Sequence, residues 1–448
     1  MNKHPQANQT GPRLILPLAK HSLGPFVLGS TLFSTLDFLR TSAGRQSYPW
    51  VHIKYDTKAV STTPILVVLL PSIHLVFTSP EQVLCQIHIL SLPLPTLSLT
   101  YHPSSSTQSD PISLCTPDRP LTFGTTSAVF GPTFNGSPSE TNGAKSPCST
   151  SGRGEGEVKE VWYPGLGFRG KEPGEGEEDI EGKGWREERV RSIHLCERED
   201  WRIGLSTFED SDSERVWKRL KLKTKKDRVE LEKVTIDAHN RSAILSFLPL
   251  TIGPLQIKLN ETTSTDLLVE LGPPLRSFWK EDSRLRIHYL GDSEQSEDED
   301  GFDGQGCYFW NYLQYGIDFL LSPSHMVIKM IFHSNLPGSV TFGRFERCPW
   351  NFSSSDSSVL DVTRSAAVLL ETMSSSLESR DPEHHGTTAE DSHTFFGKET
   401  LGLGMELDRA GEGWGQGVLL EASTLVAASS YIVFEVLESG FVESVIMS

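Results

Sequence analysis

The chain is organised around the stretch from Cys307 to Gly338, CYFWNYLQYGIDFLLSPSHMVIKMIFHSNLPG, whose apolar spacing predicts three strands in succession. Tyr308–Tyr312 is aromatic and extended. Ile317–Leu321 alternates, with Ile317, Phe319 and Leu321 on one face and Asp318 on the other, and Val327–Phe332 is again β-branched and aromatic. Ser322-Pro323-Ser324-His325 supplies the turn, since proline fixes φ and serine bonds the nearby backbone. Burial of Ile317, Phe319 and Leu321 stabilises by about 1.5–3 kcal/mol each, so that face needs a cover. Thr262–Pro274 predicts one. Thr263 and Asp266 make a capping-box start, Leu267, Leu268 and Leu271 form a helical stripe, and Gly272 before Pro273-Pro274 ends it. With a strand at Leu285–Tyr289, the unit is α+β, a short helix packed on an antiparallel β-sheet.

A matching pattern lies near the amino terminus. Leu28–Leu39 reads as the helix, Val51–Tyr55 as the counterpart of Leu285–Tyr289, and Ile65–Leu70, Ile73–Phe77 and Val83–Ile87 as strands. Ile73, Leu75, Phe77, Val83 and Ile87 align on Ile317, Phe319, Leu321, Val327 and Ile331 with no gap. Such agreement across a hairpin predicts an internal repeat; the alternative is that any two antiparallel meanders would agree this well. The expected architecture is repeated modules separated by long disordered loops. Residues 1–11 form a tail, 12–89 a first α+β module, and 90–120 a proline- and serine-rich insertion. Residues 121–250 form a degenerate second module with Gly/Glu-rich loops, and 251–350 a third. A disordered linker over 351–394 leads to terminal strands in 395–448 that complete the sheet.

The 448 residues carry a net charge of −17, with acidic runs at Gly174–Glu181 and Ser293–Asp303. That balance argues against general nucleic-acid binding. The six scattered cysteines include no C-x-x-C pair, which predicts a reducing compartment. Leu14–Leu18 and Ile65–Phe77 are too short or too interrupted for a signal or spanning helix, so the expected location is cytoplasmic. Lys218, Arg219, Lys221, Lys223, Lys225 and Lys226 form the one basic cluster. Alternation places Lys221, Lys223 and Lys225 on one side of an extended segment, suited to anionic lipid headgroups or an acidic partner. A solvated edge strand guarded by lysines fits the same pattern.

Motifs for chemistry are sparse. Gly165-Leu166-Gly167-Phe168-Arg169-Gly170 spells G-x-G-x-x-G, but a dinucleotide site needs it between a strand and a helix, and Lys171-Glu172-Pro173-Gly174 opens no helix. His384-His385 has no partner at ligand spacing. No nucleophile elbow, phosphate loop or H-E-x-x-H occurs. Asp318, alone in its strand, is expected to face solvent or bond a neighbouring backbone. No catalytic residue, cofactor or metal site is predicted.

Several blocks resemble the eukaryotic phagosome assembly factor family. They are Leu271-Gly272-Pro273-Pro274, Tyr308-Phe309-Trp310-Asn311-Tyr312, Gly316-Ile317-Asp318 and Asn335-Leu336-Pro337-Gly338. Phe130-Gly131-Pro132-Thr133-Phe134 with Tyr163-Pro164-Gly165 is similar to that family's middle module, and Tyr431–Val436 to its terminal strand. The likeness is strong in the third module, moderate in the first and patchy in the second, and residues 90–120 have no counterpart. The helix–hairpin unit also resembles bacterial outer-membrane assembly lipoproteins of the BamE/SmpA type, as a fold analogy only. The family resemblance implies a cytoplasmic, non-catalytic adaptor in autophagy, recruited to the phagophore assembly site with a WD40 β-propeller partner that binds phosphoinositides. The alternative is a peripheral trafficking protein that holds an anionic membrane surface through Lys218–Lys226.

Overall fold

The computed structural model describes residues 14–19, 21–56, 63–69, 72–79, 81–92, 97–102, 110–116, 118–131, 160–163, 165–170, 186–196, 230–248, 253–279, 306–352, 360–378 and 423–448. Contacts divide the chain into two units, Met1–Lys225 and Lys226–Ser448.

The first unit begins with β1 (Leu14–Ala19), β2 (Ser22–Leu23) and β3 (Phe26–Val27), then helices α1 (Leu32–Arg40) and α2 (Ser42–Ser47). A meander follows: β4 (Val51–Lys54), β5 (Ile65–Leu69), β6 (Ile73–Phe77) and β7 (Leu84–Ile89). After β8 (Leu97–Tyr101), β9 (Ile112–Cys115) and α3 (Phe123–Phe130) comes a second meander, β10 (Glu160–Tyr163), β11 (Leu166–Arg169) and β12 (Ser192–Cys196). The two meanders meet through β7 and β12, giving the sheet order β10-β11-β12-β7-β6-β5-β4. The proline- and serine-rich stretch 90–120 supplies β8 and β9, and β8 pairs in parallel with β1. Between the prolines, buried Leu99 and Tyr101 alternate with Ser98 and Thr100, the period of a strand.

The second unit repeats this plan of assembly. Strands β13 (Glu230–Asp237), β14 (Ser242–Leu248) and β15 (Leu255–Lys258) precede α4 (Ser264–Leu271). The meander is β16 (Arg276–Trp279), β17 (Tyr308–Tyr312), β18 (Ile317–Leu321) and β19 (Val327–His333). Then come β20 (Trp350–Phe352), α5 (Ala366–Glu378), β21 (Ser423–Ala427), β22 (Ile432–Leu437) and β23 (Val442–Met447). Here β19 and β23 join the halves in the order β16-β17-β18-β19-β23-β22-β21, beside a smaller sheet ordered β15-β14-β13-β20. Leu267 and Leu271 of α4, Phe319, Phe332, Trp350 and Phe434 share one buried core. The chain is thus strand-rich and mixed, with antiparallel sheets and short helices, compatible with α+β.

The strands predicted at Tyr308–Tyr312 and Ile317–Leu321 and the Thr263–Asp266 capping box are present. Helix α5 lies where a linker was expected. Its Ala366, Leu369, Leu370 and Met373 pack on the core at helical spacing inside a serine-rich composition that hid the period. Leu285–Tyr289, Phe395–Leu401 and His384-His385 lie outside the described residues, and β16 is the strand that borders β17.

The gap-free alignment of the two meanders is corrected beyond the turn. Phe77, Leu75 and Ile73 face Leu84, Ile87 and Ile89, whereas Leu321, Phe319 and Ile317 face Val327, Met330 and Phe332. The early connector is one residue longer, so Leu84 rather than Val83 takes the inward place of Val327. With that residue allowed for, details coincide. The ladder skips one residue near the start of the last strand at Cys85, Ile328 and Glu443, a β-bulge in three of the four meanders, while β11–β12 pair without one. The residue before each of α1, α3, α4 and α5 bridges to a residue just ahead of a final strand: Thr31 to Val83, Thr122 to Arg189, Thr263 to Met326, and Ser365 to Phe441.

Candidate functional site

Polar side chains concentrate where β19 leaves the sheet. Residues 332–339, including the Asn335-Leu336-Pro337-Gly338 turn, are buried, so each polar group there needs a partner. Glu443, on the bulge of β23, provides most of them. Its carbonyl accepts from the Ser334 N–H at 2.7 Å and its Oε2 from the Leu336 N–H at 2.9 Å. Its Oε1 accepts from Ser339 Oγ at 2.8 Å and also from Thr341 Oγ1. Burial pushes the Glu443 carboxyl above its ordinary range, while the bonds from Thr341, Leu336 and Ser339 and the nearby His333 pull it down. Asn335 Oδ1 accepts from the Gly343 N–H at 2.6 Å, which closes the loop on itself.

Asp318 belongs to the same cluster, which corrects the expectation that it faces solvent. It is 7% exposed. Its Oδ2 accepts from His333 Nε2 at 3.0 Å and its Oδ1 from Asn311 Nδ2 at 2.7 Å. Both faces of β18 are covered, so alternation along that strand separates two interiors rather than inside from outside. Asp318, His333 and Ser334 do not make a proton relay. Ser334 Oγ accepts from the Trp350 indole N–H at 3.0 Å, while His333 Nδ1 is buried without a hydrogen-bond partner and its ring stacks on Phe345. The arrangement is suited to holding a loop rigid and lacks the nucleophile–base contact that acyl or phosphoryl chemistry needs.

The motif residues near α4 form a second device. Gly272 caps the helix at φ 77°, a conformation open to glycine, and its carbonyl accepts from Tyr312 Oη at 2.8 Å. In the first unit Gly131, at φ 90° after α3, accepts from Tyr163 Oη at 3.0 Å. Around α4 and β16, Leu268, Val269, Leu275 and Phe278 are exposed, Val269 by 75%.

In the first unit the polar cluster sits at the β7–β12 junction. His74, His88 and His194 face one another across adjacent strands. His88 Nδ1 lies 2.7 Å from His194 Nδ1, His88 Nε2 lies 3.0 Å from Gln86 Oε1, and Ser192 Oγ lies 2.9 Å from His194 Nε2. One proton order satisfies them all: Ser192 donates to His194, His194 to His88, and His88 to Gln86. Burial is the main force that lowers the pKa of His88 to about 3 and of His194 to about 4, each aided by a neighbouring charge, His194 and Arg169 respectively. Among the described residues no group of three or more His, Cys, Asp and Glu is placed to hold a metal ion. Gly165, at φ 80°, turns the β10–β11 hairpin, so the G-x-G-x-x-G spelling opens no helix.

The basic cluster Lys218, Arg219, Lys221, Lys223, Lys225 and Lys226 lies outside the described residues. The sequence reading missed Glu443 and the histidine row. The available signals were a lone acid in the apolar strand FVESVIM and histidines recurring between the inward-facing aliphatic residues of IHLVF, LCQIHI and SIHLC. No described helix is long and apolar enough to cross a membrane.

Comparison with known proteins gives a consistent picture. The profile of the family described as Phagosome assembly factor 1 matches residues 22–448. A PHAF1 protein of Caenorhabditis elegans is 33% identical over 99 residues, 22% of this chain and 21% of that protein. A PHAF1 protein of Drosophila melanogaster is 31% identical over 88 residues, 19% of each. The aligned stretches therefore span about a fifth of these curated relatives. No solved structure matches.

Proposed function

The chain belongs to the phagosome assembly factor 1 family, and on that premise we propose that it is a non-catalytic adaptor in autophagy. In this reading it acts at the phagophore assembly site together with a WD40 β-propeller protein. The observation that carries the reading is the family match over residues 22–448, which ties the chain to phagosome assembly and autophagy-related trafficking. Two features support an adaptor. The most polar interior, around Glu443, is spent on fixing a loop, and apolar side chains stand exposed around α4 and β16. Cap bridges in all four helix–meander pieces and bulges in three of them support a further part of the reading, that the pieces are copies of one folding unit.

Affinity capture of the tagged chain from starved cells tests the proposal. Recovery of a WD40 propeller protein, together with fewer autophagosomes in cells lacking the chain, is the expected result. A chain that comes down alone and whose loss leaves autophagosome number unchanged removes the reading. The alternating lysines favour a second mode of recruitment, to anionic lipid. Liposome flotation with Lys221, Lys223 and Lys225 changed to Glu decides it, because unchanged flotation excludes direct contact through that tract.

A further inference from the structure

Strand β15 is one edge of the smaller sheet in the second unit, and α4 lies beside it. Between them runs an open groove of about 400 Å³, a size that suits a few side chains. Ile257 and Leu267 are buried beneath it, and half-buried Leu255 offers apolar surface at one end. Its rim is acidic. Asp266 and Glu270 stand one helical turn apart on α4, and Glu261 faces them from the turn after β15. Lys258 is the one basic side chain of the lining, and it already pairs with Glu261 at 3.3 Å.

We propose that this groove binds an extended, cationic segment of a partner protein, seating a lysine or arginine beside Asp266 and Glu270 and an apolar side chain against Leu255. Charge complementarity selects the occupant. Three carboxylates against one paired ammonium repel a phosphorylated peptide or an anionic membrane and attract a basic chain. An isolated divalent cation is disfavoured, since no described group of three such ligands is placed to hold one. Asp266 keeps one oxygen for the task, because both of its capping bonds, from the Thr263 N–H and hydroxyl, end on Oδ2.

Main-chain pairing contributes little in this site, which sets it apart from ordinary strand addition. Pro254 precedes β15 and offers no N–H. The Lys258 N–H already donates to Thr262 Oγ1 at 2.9 Å, and the Lys258 carbonyl accepts from the Thr262 N–H at 3.1 Å. By the alternation of the ladder, Gln256 is left to present its N–H and C=O to the groove. Selectivity therefore rests on side chains: one apolar anchor and one cation.

The test uses the full chain and a fluorescein-labelled heptapeptide of alternating valine and lysine, followed by anisotropy. Saturable binding that weakens with salt is expected, with about a tenfold loss in Glu270→Lys. Glu270 is exposed near the carboxyl end of α4, where a lysine suits the helix dipole, so the melting temperature of this variant should match that of the parent. A photo-crosslinking version of the peptide should label residues 255–270. Equal affinity for the parent and Glu270→Lys would identify general attraction to an acidic protein and overturn the proposal. Equal binding of the peptide with glutamate in place of lysine, or labelling elsewhere, would do the same.

Discussion

Where β7 meets β12 in the first unit, His88 faces His194 across the strands; where β19 meets β23 in the second, the facing pair is Ile331 and Ile446. One strand further along the same row, His74 stands in the first unit and Asp318 in the second. The two junctions share strand order, direction and a nearby bulge, yet one is closed by a ladder of imidazoles and the other by aliphatic packing. Backbone pairing thus leaves the chemistry of the row free, even where a polar member such as His74 keeps a buried nitrogen, Nδ1, without a hydrogen-bond partner. In the second unit Asp318 is the buried polar member of the row, and it joins His333, while Glu443 outside the row pins the loop that leaves β19.

The largest effect expected from breaking this difference is at Glu443. Changing it to Ala strips acceptors from the Leu336 amide and the Ser339 and Thr341 hydroxyls at once. Each orphaned buried donor costs about 1–3 kcal/mol, so a total loss of about 3 kcal/mol or more is expected in urea unfolding. Hydrogen exchange should accelerate first at Leu336 and Ser339, and unchanged protection there would show that the carboxylate does not hold the loop. The bulge position of the first unit, Cys85, carries no such burden. Its Sγ makes a weak bond to the Val76 carbonyl, so Cys85→Ala should cost only about 1 kcal/mol.

Acid should separate the two units next. In the first, burial holds His88 and His194 neutral, with folded pKa values of about 3 and about 4, while unfolded imidazoles take protons near 6.5. Their contribution is complete above about pH 6.5 and drains as pH falls, by about 2–4 kcal/mol on reaching pH 5. Glu443 runs the opposite way. Its folded pKa lies above the unfolded value, so its contribution is greatest below the ordinary carboxylate range and declines as pH rises through the folded value. Amide exchange in β7 and β19, compared at pH 7 and pH 5 after correction for intrinsic rates, should show β7 losing protection relative to β19. Parallel changes in both strands would refute the contrast. Replacing His88 and His194 together by Ile, the pairing found in the second unit, should flatten the response of β7.

Much of the scaffold was legible in the sequence because its signals are local. The Thr263–Asp266 box, the Gly272 stop and the alternation in Ile317–Leu321 each depend on residues within one turn or strand. What escaped depends on distant partners. Asp318 looked exposed because strand alternation cannot reveal that a second layer covers the other face. Glu443 bonds residues more than a hundred positions away, and the one-residue difference between the hairpins shows itself only in the pairing of Leu84 and Val327. The groove beside β15 is of the same kind, since Ile257 and Glu270 share no sequence pattern.

The smallest expected effect compares two caps. Thr263 Oγ1 accepts from the Asp266 N–H, and the Asp266 carboxylate accepts in return from the Thr263 N–H and hydroxyl. Thr31 accepts from the Ser34 N–H at 3.2 Å, while Ser34 Oγ accepts from Thr31 Oγ1 at 3.2 Å and donates to the Thr31 carbonyl at 2.9 Å, so a neutral hydroxyl stands where α4 has a carboxylate. Both threonines also bridge to the residue ahead of a final strand, Val83 or Met326, and that main-chain contact survives a change to Ala. The side-chain loss alone should then appear: about 1 kcal/mol for Thr263→Ala and a few tenths less for Thr31→Ala. Equal losses would mean that the reciprocal carboxylate adds nothing to α4. A larger loss at Thr31 would mean that its hydroxyl steadies the bridge to Val83 as well as the helix, and that the two units differ in how their helices are tied to their sheets.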